Sequence, residues 1–193
     1  MVDTAAVETS DLVFKIVVSG PTGAGKTTFI DTITQRSPDE PAERHLDTGD
    51  GSAVGMDYGT FAVADPTGDI QLQLFGAPGE ERFRFMWEIL AEGADGLVMV
   101  VDGREPDGWR EARNQLNVLQ AVAAAPGIVA VNHDRAPSTI EAATSCFAST
   151  GLQVIACDAA DHTQVADALL RVLTATLQRI ESDDEQTREA DAW

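Results

Sequence analysis

The chain is expected to form an α/β domain of three layers. A mostly parallel six-stranded sheet with one antiparallel edge strand should carry helices on both faces. Three observations support this. Apolar, β-branched runs alternate with amphipathic segments through most of the 193 residues, the pattern of strands joined by helical crossovers. The first run, Val13-Phe14-Lys15-Ile16-Val17-Val18, leads straight into the turn Gly20-Pro21-Thr22-Gly23-Ala24-Gly25-Lys26-Thr27. Only Asp65-Pro66-Thr67-Gly68 separates the runs Val54 to Ala64 and Asp69 to Phe75, and so short a turn forces an antiparallel hairpin.

Each further element follows from composition and period. Lys26 to Gln35 reads as a helix. Ser37 to Ser52, rich in Pro, Asp, Gly and charge, reads as a loop whose length signals function or mobility. Glu80 to Ala91 reads as a helix, Leu97 to Asp102 as a buried strand, and Trp109 to Ala124 as a helix. Ile128 to Asn132 is a strand, Thr139 to Ser149 a helix capped by Ser138, Gln153 to Ala156 the last strand and Val165 to Ile180 the last helix. Asp183, Asp184, Glu185, Glu189 and Asp191 leave the end with few apolar residues, so it reads as a frayed acidic tail. Residues 1–11 are therefore expected to be a disordered N-terminus, 12–181 one folded domain and 182–193 an acidic C-terminal tail. The length suits one such domain with a real core.

A formal charge of −19, from 13 Lys+Arg against 32 Asp+Glu, argues against nucleic acid and against an anionic membrane surface, both of which need a basic face. Cys146 and Cys157 show no metal-binding or redox spacing and read as buried thiols of a reducing compartment. The N-terminus lacks a basic and then apolar leader, and Ala121 to Val131 is interrupted by Pro126-Gly127 and too short to span a bilayer. A cytoplasmic location is expected, with any membrane recruitment through a partner.

The turn after the first strand fits G-x-x-x-x-G-K-[ST] in full. Glycines let successive amides converge on one point, and a helix starting at Lys26 aims its N-terminal dipole there. Lys26 sets a cation against β- and γ-phosphates, and the Thr27 hydroxyl is placed to ligate Mg²⁺. Gly20, Thr22, Gly23, Ala24, Gly25, Lys26, Thr27 and Thr28 are the candidates for phosphate contact. The chemistry is nucleoside-phosphate binding on a P-loop NTPase fold.

Further motifs narrow the class. Leu72-Gln73-Leu74-Phe75-Gly76-Ala77-Pro78-Gly79-Glu80-Glu81-Arg82-Phe83 resembles the switch II segment of Ras-like small GTPases. Val54-Gly55-Met56-Asp57-Tyr58-Gly59 resembles the strand after switch I, Asn132-His133-Asp134 the base-recognition motif, and Asp158-Ala159-Ala160 the family's final loop. Phe75 to Phe83 followed by Phe85-Met86-Trp87 resembles, more narrowly, the bacterial conservon-type and gliding-polarity-type GTP-binding proteins. The resemblance implies a switch that binds GTP/GDP with Mg²⁺ and has a Roadblock/LC7-type protein and a sensor-kinase-like protein as partners. It places nucleotide contacts at Gly79, Asn132, His133, Asp134, Asp158 and Ala159.

The departures matter as much. Gly76 stands where the family has an Asp that serves Mg²⁺ through water, so another acid, Asp57 or Asp102, has to reach in; Gly76→Asp is expected to strengthen metal dependence. Ala53 replaces the switch I Thr, leaving Ser52 or Thr48 as the metal-side hydroxyl. Glu80 replaces the Gln that orients water, and its charge opposes the transition state. Thr22 and Pro78 add bulk near the γ-phosphate. Slow, partner-assisted hydrolysis is expected, with Lys26 and Glu80 as catalytic candidates and Arg82 or Arg84 as a finger or as solvated arginines. His133 replaces the family's Lys and Asp134 lies one residue early. Either the loop shifts to bring Asp134 to guanine, or base preference is relaxed towards adenine. The run Phe83, Phe85, Met86, Trp87, Ile89, Leu90 is too apolar for one helix face, so part of it should be exposed for docking.

Overall fold

The computed structural model describes residues 12–34, 43–47, 53–64 and 70–190. β1 (Leu12–Ser19) is followed by α1 (Lys26–Ile33), β2 (Glu43–Asp47), β3 (Ala53–Val63), β4 (Ile70–Gly76) and α2 (Arg84–Ala91). Then come β5 (Gly96–Asp102), α3 (Trp109–Val122), β6 (Gly127–Asn132), α4 (Pro137–Phe147), β7 (Gln153–Ala156) and α5 (His162–Ala190).

The strands form one sheet in the order β2-β3-β4-β1-β5-β6-β7. β1 pairs in parallel with β4 and β5, and the parallel run continues through β6 and β7. β3 is antiparallel to both its neighbours, running Tyr58↔Phe75 to Val63↔Ile70 on β4 and Glu43↔Asp57 to Asp47↔Ala53 on β2. The expected three-layer fold and the antiparallel pair are present, and β2 adds a seventh strand inside the segment read as a loop. Glu43-Arg44-His45-Leu46-Asp47 has a single apolar residue, so no two-residue alternation announces it; its pairing is tertiary.

Alternation along the central strands builds a core on each face. Ile16 and Val18 of β1 and Val98 and Val100 of β5 face α1 and α5, where they pack with Phe29, Ile30, Leu169 and Val172. Val17, Leu97, Met99 and Val101 face α2, α3 and α4, meeting Trp87, Leu116 and Phe147.

Two helix ends differ from expectation. α4 begins at Pro137, a residue suited to a first turn because its missing N–H has no intrahelical partner there. Ser138 does not cap it; the Asp134 carboxylate accepts from the Ala136 N–H (3.1 Å) and the Thr139 hydroxyl (3.0 Å) instead. α5 continues past Ile180 to Ala190. Neither Gly nor Pro occurs between His162 and Trp193, and Glu, Gln and Arg sustain a solvated helix. Residues 1–11, the expected turn Asp65-Pro66-Thr67-Gly68 and residues 191–193 lie outside the described residues.

Candidate functional site

β1 delivers the chain to its turn at the carboxyl edge of the sheet, at the strand where β4 and β5 lie on opposite sides, the place where open α/β sheets bind ligands. Gly25, with φ 106°, lies in the left-handed region at the N-terminal cap of α1, and a Cβ there would stand 2.4 Å from Asn132 Nδ2. Only glycine fits. No side chain caps α1, so its first amides remain for an anion. Lys26 Nζ lies along the turn, donating to the carbonyls of Gly20 (2.8 Å) and Pro21 (2.9 Å). Burial lowers the Lys26 pKa to about 8, with partial opposition from the Asp57 carboxylate. Thr22, Thr27 and Thr28 are exposed at the rim while Ala24 is buried.

The Thr27 hydroxyl donates to Asp57 Oδ2 at 2.7 Å. Asp57 comes from β3 and lies over Gly76 of β4: a Cβ built on Gly76 would be 2.8 Å from Asp57 Cβ. Asp102, the other candidate acid, is held by Arg104 through Nε (3.1 Å), Nη2 (2.7 Å) and the backbone N–H (2.8 Å), contacts that keep its carboxyl below the usual range. Among the described residues no group of three or more His, Cys, Asp or Glu side chains forms a metal site. A divalent ion would here take phosphate and water oxygens beside the Thr27 hydroxyl, a hard-oxygen set suited to Mg²⁺. Ser52 and Thr48 lie outside the described residues, and Ala53 pairs with Asp47 on β2.

The segment after β4 closes against the phosphate loop. Ala77 N–H donates to the Val18 carbonyl at 2.8 Å. A Cβ on Gly79 would stand 2.5 Å from Thr22 N and 2.8 Å from Gly20 O, so the Gly79 backbone packs directly on the loop. The Pro78 carbonyl accepts from Trp87 Nε1 (2.7 Å) and Gln115 Nε2 (3.2 Å). Glu80 is exposed and grips Arg82 at 2.8 and 3.0 Å, while Arg84 leans towards Glu81 and Glu88 at 3.6 and 3.9 Å. Both arginines are solvated and paired with neighbouring carboxylates. On α2, Met86, Trp87 and Leu90 are buried whereas Phe85 and Ile89 are 46% and 50% exposed, so the apolar run divides between core and surface.

Asn132 is buried at the end of β6 and joins two loops. Its Nδ2 donates to the Ala24 carbonyl (3.0 Å) and its Oδ1 accepts from the Ala159 N–H (3.1 Å). His133, at φ 65°, brings Nε2 within 3.3 Å of Asn132 Nδ2 and 3.8 Å of Asp102 Oδ2. Asp134, the expected base acceptor, has both carboxylate oxygens engaged at the start of α4. Asp158 accepts from the Ala160 N–H (3.0 Å) and pairs with Arg135 (2.9 Å), and these two partners hold its carboxyl below the usual range. The thiols are free; burial chiefly, with nearby carboxylates, pushes Cys157 up to about 12, which leaves it inert.

The structure thus brings Gly79, Asn132 and Ala159 against the phosphate loop and engages Asp134 at the start of α4 instead. Sequence reasoning missed Trp87 and Gln115 as anchors of Pro78, and Arg104 and Arg135 as partners of Asp102 and Asp158. An arginine two residues after Asp102 is the one sequence signal of its pairing; contacts across 37 residues, as between Gln115 and Pro78, leave none.

Comparison with known proteins agrees with this geometry. The model of the ADP-ribosylation factor family matches residues 3–176. The GTP-binding protein ypt4 of Schizosaccharomyces pombe is 26% identical over 90% of this chain and 76% of its own length. Rab-4A of Rattus norvegicus, a Ras-related protein, is 24% identical over 95% of this chain and 84% of its own. The Ras-related protein RIC1 of Oryza sativa is 26% identical over 58% of this chain, a match spanning about half (52%) of that relative. These three relatives are eukaryotic. With most of its length matched and a phosphate loop of the required shape, the chain belongs to the ADP-ribosylation factor family of Ras-like small GTPases, which bind GTP or GDP with Mg²⁺.

Proposed function

We propose that this protein is a GTP-binding signalling switch that hydrolyses its nucleotide slowly and with help from a partner. The observation that carries the reading is the closure of Gly79 on the phosphate loop beside Lys26 and Thr27. A terminal phosphate entering that opening must meet the Gly79 backbone, so its presence or loss bears directly on α2 and on exposed Phe85 and Ile89. That is how a phosphate becomes a surface a partner can read. When bound, Mg²⁺ neutralises charge between the β- and γ-phosphates. The chain's own residues do the rest. Loop amides and Lys26 bind the phosphates, Thr27 orients the metal side, and Asn132 keeps the loop joined to the Ala159 loop. Slow turnover follows from Glu80, a carboxylate beside a developing anionic centre and already paired with Arg82.

The narrower likeness to bacterial conservon-type proteins supports a Roadblock/LC7-type protein as the assisting partner and a sensor-kinase-like protein upstream, with membrane recruitment through them. No helix among the described residues is long and apolar enough to cross a membrane. Identifying the nucleotide that co-purifies, then comparing labelled GTP and ATP binding and phosphate release, tests the reading. A clear preference for ATP would overturn it.

The Glu80–Arg82 pair also favours a second reading, a nucleotide-dependent adaptor without useful turnover. Multiple turnovers in the presence of the Roadblock-type partner would end that alternative.

A further inference from the structure

We infer that Gln115, on α3, is a positioning residue for the Gly79 backbone and thereby favours a nucleoside triphosphate over a diphosphate; the inference rests on the nucleotide-binding reading above. Gln115 is fully buried. Its Nε2 donates to the Pro78 carbonyl at 3.2 Å, beside the Trp87 Nε1 donor at 2.7 Å. A carbonyl only accepts, so this contact fixes which end of the carboxamide faces Pro78. The other end, Oε1, is buried with no partner among the described residues. A buried acceptor left without a donor costs stability that one hydrogen bond of ordinary strength does not return. A methionine of similar volume would fill the place without that loss, so stability alone does not account for a glutamine here.

Its value lies in what Pro78 carries. One residue earlier, the Ala77 N–H is tied to the Val18 carbonyl of β1 at 2.8 Å. One residue later, the Gly79 backbone stands on the phosphate loop, where a Cβ would come within 2.5 Å of Thr22 N. The Pro78 carbonyl and the Gly79 N–H share one rigid peptide plane. Two donors on that carbonyl therefore set the plane, and with it the place where Gly79 meets the loop. In the functional reading above, the terminal phosphate is the part of the nucleotide that meets Gly79. Loosening this peptide should weaken triphosphate binding and spare diphosphate binding, which makes the role measurable.

The test compares the affinity of the full chain for fluorescent GDP and for a fluorescent non-hydrolysable GTP analogue, both in millimolar Mg²⁺. Gln115→Met keeps the volume and removes the donor. Triphosphate affinity should fall by about three- to tenfold while GDP affinity and the urea midpoint hold. Gly79→Ala drives a Cβ against Thr22 N and should show the same selective loss. The double variant should lose no more than Gly79→Ala alone, because a residue acting through another adds nothing once that other is displaced. Unchanged triphosphate affinity in Gln115→Met would overturn the inference and leave nucleotide binding intact. An equal fall for both nucleotides, or a fall that accompanies a lowered urea midpoint, would make Gln115 a packing residue and equally overturn it. Additive losses in the double variant would do the same. Should the unmodified chain bind neither nucleotide, this inference and the functional reading fail together.

Discussion

Asn132 Nδ2 donates to the Ala24 carbonyl at 3.0 Å, tying the end of β6 to the phosphate loop 108 residues earlier. The same carboxamide receives the Ala159 N–H, so one buried side chain ties the phosphate loop to the loop that precedes α5. Asn132→Ala leaves both backbone groups without their partner, at about 1–3 kcal/mol each. Urea unfolding should show the loss of stability, and labelled-GDP binding should weaken with it. Wild-type affinity in a destabilised Asn132→Ala protein would show that the tie serves folding alone.

Lys26→Ala is expected to abolish nucleotide binding in an equilibrium assay while the far-ultraviolet spectrum stays unchanged. The depressed Lys26 pKa adds a sign. An arriving polyphosphate favours the ammonium, so binding at pH above about 8 should take up a proton. Calorimetry in buffers of differing ionisation heat will report that uptake, and affinity should fall as pH climbs beyond 8. In the free protein the linkage has the opposite sign. The folded-state pKa lies below the unfolded value of 10.5, so the unfolded chain binds more protons between the two values and stability rises with pH across that window.

Asp134→Ala separates a structural role at the start of α4 from base selection. Losing the acceptor for Ala136 N–H and the Thr139 hydroxyl should cost about 0.5–1.5 kcal/mol per hydrogen bond, read by thermal or urea denaturation. If the carboxylate serves α4 alone, the ratio of GTP to ATP affinity will stay the same. A collapse of that ratio would mean the loop rearranges on binding and brings Asp134 to the base.

Gly76→Asp reverses an expectation. From the motif alone, restoring the family's acid should strengthen metal dependence. With Asp57 in place the new Cβ meets Asp57 at 2.8 Å, and two carboxylates are forced together. The single variant should lose stability and bind Mg²⁺·GDP more weakly than the unmodified chain, as melting temperature and a magnesium titration will show.

The phosphate loop was legible because its chemistry is local: glycines, Lys26 and Thr27 act at fixed spacing behind a strand. The central strands were legible because Val17 and Val18, or Met99 and Val100, are buried on both faces and write continuous apolar runs. β2 was not, since Leu46 alone carries no period, and neither was the length of α5, whose acidic composition resembles an unfolded tail. The choice between Asp57 and Asp102, and the contacts of Asp134, were hidden for a different reason. A carboxylate reads alike in sequence whether it faces Thr27, a helix N-terminus or a base, and only folding decides which.

Asp57 and a side chain at Gly76 exclude each other sterically, since a Cβ at Gly76 would stand 2.8 Å from Asp57 Cβ. The two positions therefore act as one unit of sequence: whatever occupies β3 here limits what β4 can carry, and an enlargement at Gly76 alone should be poorly tolerated.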